Sequence, residues 1–162
     1  MKAIVIGGCG HIGSFLVPML VKAGYEVTAI SRGKSKPYLQ DYARKKVNMV
    51  VLDREKETDF AKKIAAMDAD IVVDLINFHV KDTQEMVHAL KETRLSHYLF
   101  CSSIWAHGRV KTLEADPNDL QKEPLDDYGH NKFLSELYLK EQWRIAGFPA
   151  TIIMPGQISG AG

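Results

Sequence analysis

AIVIGGCGHIGSFLVPMLVKAG, residues 3–24, decides the fold. Ala3-Ile4-Val5-Ile6 is a short, uniformly apolar run, the pattern of a strand buried on both faces. Gly7-Gly8-Cys9-Gly10-His11-Ile12-Gly13 follows with no linker. Phe15, Leu16, Met19, Leu20 and Ala23 then recur at helical spacing, and Gly24 supplies a stop. Strand, glycine turn and helix together form the context in which a glycine motif binds a dinucleotide. The early glycines let backbone approach a pyrophosphate, and Gly13 lets helix and strand pack closely. The helix N-terminus offers free N–H groups and a positive dipole.

The remaining chain repeats this alternation. Tyr25–Ile30, Val47–Leu52, Asp70–Asn77, Tyr98–Cys101 and Ala150–Met154 read as five further strands. Between them, Pro37–Lys46 reads as a short helix with Tyr38, Leu39 and Tyr42 on one face. A helix capped by Thr58 runs to Met67, and others span Val80–Thr93 and Tyr128–Ala146. Six apolar strands alternating with amphipathic helices specify an α/β fold: a doubly wound parallel sheet of the Rossmann type, over one dinucleotide-binding domain, 1–162. The ligand crevice of such a sheet lies at the carboxyl ends of its strands. Asp74, inside the fourth strand, requires a partner to be buried. Gly108–Asp127 carries no periodicity and includes Pro117 and Pro124, which marks it as a lid or substrate loop.

Composition excludes several classes. With 162 residues, 46% apolar and 25% charged, the chain is an ordinary globular domain, and a net charge of +1 gives no nucleic-acid or membrane-surface footprint. No apolar run reaches the ~20 residues that span a bilayer. Met1-Lys2 leads directly into a strand without a signal-peptide pattern, and Cys9 and Cys101 make no disulfide framework, so a reducing cytoplasm is the expected location. His79, His88, His97, His107 and His130 lack ligand spacing, and no metal site is expected. His107 reads as a surface histidine. Cys9 reads as a small filler beside the pyrophosphate, and Asp126-Asp127 as helix-start charges favoured by the dipole.

Two local patterns carry chemistry. At the end of the second strand, where a carboxylate would bond the adenosine ribose of NAD, the chain has Ser31-Arg32-Gly33-Lys34. Arg32 can pair with a 2′-phosphate through its planar fork, which favours NADP(H) over NAD(H). Further on, Tyr128-Gly-His-Asn-Lys132 places a phenol and an amine on one side of a helix start. Ser103 ends the fifth strand at the crevice edge. A tyrosine is a poor base at neutral pH, and a nearby ammonium favours the phenolate, while a serine hydroxyl can hold a substrate oxygen.

In this order the motifs resemble the extended short-chain dehydrogenase/reductase family, the NAD(P)-dependent epimerase/dehydratase group, over essentially the whole chain. Gly7, Gly10 and Gly13 match its G-x-x-G-x-x-G turn, with His11 and Ile12 inside it. Asp53 matches the acid that contacts adenine, and Leu75 falls in the segment lining the cofactor. Ser102-Ser103-Ile-Trp-Ala-His-Gly108 is similar to the serine motif. Glu123-Pro124 resembles the approach to Tyr-x-x-x-Lys, and Pro155-Gly156 and Gly160 the loop past the nicotinamide.

The resemblance implies Ser103, Tyr128 and Lys132 as catalytic residues. Tyr128 would be the acid/base, Ser103 would orient the reacting oxygen, and Lys132 would hold the nicotinamide ribose and lower the phenol's pKa. It implies hydride transfer at a hydroxyl or carbonyl carbon of a small molecule such as a nucleotide sugar, and association as a homodimer. The departures are Met154, where the family has arginine before Pro-Gly, and the lack of the active-site asparagine near His79–Lys81. Family members also continue for about another domain length, so the substrate-selecting part is expected to lie outside residues 1–162. The rival reading is a non-catalytic NADP(H)-sensing module that regulates a partner protein. It would need the glycine turn and Arg32 but not Ser103, Tyr128 and Lys132 together.

Overall fold

A computed structural model of the chain describes residues 1–110 and 115–160. Its strands are β1 (Lys2–Ile6), β2 (Glu26–Ser31), β3 (Asn48–Val51), β4 (Ile71–Asp74), β5 (His97–Cys101) and β6 (Ala150–Ile153). Its helices are α1 (His11–Lys22), α2 (Phe60–Ala66), α3 (Val80–Leu90) and α4 (Asp127–Ala146). The strands form one parallel sheet in the order β3-β2-β1-β4-β5-β6. The order reverses beside β1, which puts the topological switch point at the carboxyl end of the first strand.

Side-chain alternation builds two cores. Val5, Val27, Ala29 and Val73 meet Val17 and Leu20 of α1 on one face. Ile4, Ile6, Ile30, Val72, Tyr98 and Phe100 meet α2, α3 and α4 on the other, through Phe60, Ile64, Met86, Val87, Leu90 and Leu139. The expected doubly wound sheet is the one observed. Among the described residues no helix is long and apolar enough to cross a membrane.

Several boundaries differ from the sequence reading, each for a physical reason. Only Tyr42–Lys46 of the expected Pro37–Lys46 helix forms, as a 3₁₀ turn capped by the Asp41 carboxylate. Tyr38, Leu39 and Tyr42 remain exposed and Ala43 alone of this segment is buried, so the expected apolar face does not form. Thr58 does not cap α2; Asp59 occupies that position without a side-chain bond. The fourth strand stops at Asp74, because the Asn77 side chain turns inward to Asp74 and Thr83. At α4 the Asp126 carboxylate is a true cap, accepting from the Gly129 N–H at 2.7 Å.

The stretch from Gly108 to Asp127 departs most from expectation. Residues 111–114 of it lie outside the described residues, but the rest is anchored. Gly108 and Glu123 form a parallel bridge, the Glu123 N–H donates to the His107 carbonyl at 3.3 Å, and Lys122 is buried. This strap is therefore tied to the serine segment through Glu123.

Candidate active site

The glycine turn is shaped by backbone contact. A Cβ on Gly13 would lie 2.4 Å from the Gly7 carbonyl oxygen and 2.7 Å from Gly8 Cα, and one on Gly8 would lie 2.7 Å from Ala29 Cβ. Gly7 has φ +88°, a conformation that L side chains rarely adopt. Arg44 braces the turn by donating from Nη2 to the carbonyls of Gly8 and Gly13, at 3.0 and 2.9 Å. Nothing in the local sequence signals this contact, because Arg44 arrives from the 3₁₀ turn more than thirty residues away.

Above the turn is a cleft of about 410 Å³ at the carboxyl ends of β1, β2 and β4. Gly7, Gly10, Ser31, Arg32 and Asp53 all line it. Asp53 also has a local task, accepting from the Glu55 N–H at 3.3 Å. Ile76 lines the cleft, while its neighbour Leu75 packs against the Val5–Val17 core. His11 and Ile12 open α1 on the other flank and line a shallow groove with Ile158 and Gly160. The sequence reading missed Phe78. Its ring lines the cleft and lies 6.1 Å from the Tyr128 ring, joining the glycine-lined space to the second constellation.

Ser103 follows β5, and Tyr128 and Lys132 lie in the first turns of α4, with Lys132 Nζ 5.6 Å from the Tyr128 ring centre. Ser103 is buried and its Oγ accepts from the Trp105 N–H at 3.3 Å, while Tyr128 is 38% exposed, open to a substrate. Close approach is possible because residue 129 is glycine, where a Cβ would stand 2.4 Å from the Trp105 carbonyl. Partial burial raises the Tyr128 pKa above the ordinary phenol value, and the Ser103 hydroxyl nearby opposes the rise.

Lys132 behaves differently from the simple picture of an ammonium that ionises the tyrosine. It is almost fully buried, its Nζ donates to the carbonyls of Asn77 and Cys101 at 2.6 Å each, and it stands 4.9 Å from the Phe100 ring centre. Burial drives its pKa down from 10.5 to about 8, against the opposing fields of Cys101 and Asp74. Around neutrality Tyr128 is thus a protonated phenol beside a buried cation, suited to donating a proton to a substrate oxygen.

Behind the site runs a buried polar network. Asp74, fully buried, accepts from Arg54 Nη2 at 2.7 Å, the Tyr98 hydroxyl at 2.9 Å and Asn77 Nδ2 at 3.2 Å. Thr83 donates to Asn77 Oδ1 at 3.2 Å, and the Asn77 carbonyl holds Lys132. The cation for Asp74 is therefore Arg54, twenty residues earlier on the cleft wall. The Asn77 main chain, just before His79–Lys81, is what meets Lys132 from this segment.

Fold and site define a dinucleotide-binding α/β domain with a Ser-Tyr-Lys constellation. The chain belongs to the NAD dependent epimerase/dehydratase family, whose model matches residues 3–162. It is 31% identical to the UDP-glucose 4-epimerase of Mycoplasma pneumoniae over 183 aligned residues, covering 99% of this chain and 53% of that protein. It is 34% identical to the chloroplast stem-loop binding protein of 41 kDa b of Arabidopsis thaliana, covering 63% of this chain and 29% of that protein. The crystal structure of UDP-glucose 4-epimerase from Brucella ovis in complex with NAD superposes with a TM-score of 0.79 at 20% identity, covering 99% and 53% of the two chains. The chain thus spans about half the length of the epimerases it matches.

Proposed function

We propose that this chain is the nucleotide-binding part of an epimerase/dehydratase-type oxidoreductase that acts on a hydroxyl or carbonyl carbon of a small molecule such as a nucleotide sugar. The observation that carries this reading is Phe78, which lines the glycine-lined cleft and lies beside Tyr128, whose ring Lys132 Nζ approaches to 5.6 Å. The residues fit a dinucleotide: the glycine cradle has no room for a Cβ, and the cleft is lined by Ser31, Arg32 and Asp53. When bound, the nicotinamide would supply hydride exchange with the substrate carbon. The protein's share is to hold and move a proton. Tyr128 gives it to, or takes it from, the substrate oxygen, Ser103 holds that oxygen, and Lys132 fixes the helix and offers its remaining donor to the ribose.

Within this proposal the cofactor is NADP(H) in preference to NAD(H), because Arg32 and Lys34 line the cleft where a 2′-phosphate would sit. The location is cytoplasmic, and the protein pairs as a homodimer through α3 and α4, whose groove carries Leu134, Leu137 and Trp143. Calorimetric titration with NADPH and NADH tests the cofactor reading. Micromolar NADPH binding, weakened by Arg32→Ala with NADH little affected, is the expected result. Equal affinities for both, unchanged by Arg32→Ala, would remove the NADP preference.

A further inference from the structure

A second charged cluster lies behind Ser103, outside the cleft. Lys122, with a fully buried side chain, donates from Nζ to Glu136 Oε2 at 2.5 Å, and the Glu136 side chain is 1% exposed. The other carboxylate oxygen accepts from the Ser102 hydroxyl. Glu136 lies four residues beyond Lys132 on α4 and so projects on the same side of the helix. One carboxylate therefore joins three elements: the end of β5, the strap 115–126 and the helix that bears Tyr128.

The surroundings show what this junction restrains. The Ser102 and Ile104 N–H groups donate to the carbonyls of Ile153 and Pro155, at 2.8 and 3.2 Å. Residues 103–108 then run between strap and helix with no slack. A Cβ on Gly108 would stand 1.8 Å from the Glu123 carbonyl oxygen, and Gly129 packs on the Trp105 carbonyl. Lys122 Nζ is also 3.9 Å from the sulfur of Met154, the residue standing where the family motif has arginine. A cation thus occupies that point of the fold, although it is carried by the strap and not by β6. A buried ion pair is no better than an apolar pair for stability alone, which directs attention to geometry.

We propose that Lys122 and Glu136 are positioning residues for Ser103 and Tyr128, with Lys122 supplying from the strap the cation that the family motif carries at position 154. The inference rests on the reading of Ser103 and Tyr128 as the reacting pair. With the clamp intact, the corner at Ser102-Ser103 is held to α4 through Glu136, which keeps the Ser103 hydroxyl near the phenol; with it broken, that corner is free to move away. Because the missing charge belongs at one place, an arginine at 154 can replace the lysine at 122.

The test is alkaline titration of Tyr128 by phenolate absorbance, each variant being read against the same variant carrying Tyr128→Phe. Apart from Ser103, the groups acting on this phenol are Cys101 and Asp126, which raise its pKa, and Lys132 stands 5.6 Å from its ring centre. None of these is altered. Lys122→Met is expected to lower the phenol's ionisation constant about threefold or more, and Lys122→Met/Met154→Arg to restore it. An unmoved titration in Lys122→Met would overturn the proposal, as would a shift that the arginine fails to reverse. If Lys122→Met does not fold, Lys122→Met/Glu136→Gln leaves no unpaired charge in the clamp and takes its place. The same shift there supports the clamp, and a titration equal to that of the unaltered protein sinks it. The titration needs neither cofactor nor turnover, so an inactive chain would count against the oxidoreductase reading without touching this result.

Discussion

Lys132 Nζ donates to the Asn77 carbonyl at 2.6 Å, so the amine of the Tyr-x-x-x-Lys motif also pins α4 to the segment after β4. Its buried position makes folding stability depend on pH in the alkaline range. Below pH 8 the lysine is protonated in both folded and unfolded chains, and its burial penalty is present in full. Between about pH 8 and 10.5 the unfolded chain binds more protons, so stability rises with pH. We expect the wild type to gain roughly 3 kcal/mol relative to Lys132→Met across this window. Urea unfolding of both proteins at pH 7.5 and 10.5 measures the difference, and parallel pH dependences would show that the amine is not desolvated.

The Arg54–Asp74 pair should be strongly coupled. Asp74→Asn leaves Arg54, whose side chain is 9% exposed, without its counter-ion, and Arg54→Met leaves a wholly buried carboxylate. Each single change is expected to cost about 3–5 kcal/mol, whereas the double change costs much less than the sum. A double-mutant cycle by denaturant unfolding gives the coupling. Additive costs would mean that the two groups act independently.

Glycine substitutions should rank by what the new Cβ meets. At Gly13 it strikes backbone at 2.4 Å, which neither strand nor turn can relieve. At Gly10 the nearest atom is the Gly7 carbonyl oxygen at 3.3 Å. Gly13→Ala is expected to lose about 2–3 kcal/mol and the turn's shape, and Gly10→Ala about 1 kcal/mol or less. Thermal unfolding of the two variants checks the order.

Tyr128→Phe separates an oxidoreductase from a cofactor-sensing module. Removing the phenol hydroxyl should reduce turnover by about 10²–10⁴-fold while dinucleotide affinity stays within about twofold. Full activity in the variant would remove Tyr128 as the proton donor.

The parts of this molecule legible in its sequence are those encoded over a few consecutive residues. Ala3–Ile6 followed by the glycine turn announces β1 and α1. Apolar runs announce the other strands, and the spacing of Tyr128 and Lys132 survives intact because one helix carries both. What could not be read depends on pairing across the chain. Asp74 plainly needed a partner, but any cation could have served, and Arg54 was chosen by the approach of the segment after β3. Lys122 lies in a stretch with no periodicity, read as a lid or substrate loop, and the Glu136 carboxylate that pairs with it comes fourteen residues later. Arg44 beneath the glycine turn and Phe78 beside Tyr128 are invisible for the same reason. Helix ends failed more locally. Thr58 and Asp59 both suit a cap, and the chain's path, not their propensity, selected the second.

β6 closes one border of the sheet, its Thr151 and Ile153 side chains exposed and, among the described residues, its outer row of amides and carbonyls facing no further strand. Such a border is a template that any extended segment can lengthen. Handled by itself, residues 1–162 would therefore be adhesive along this edge, and colloidal behaviour in concentrated solution would be governed there and not by the near-zero net charge.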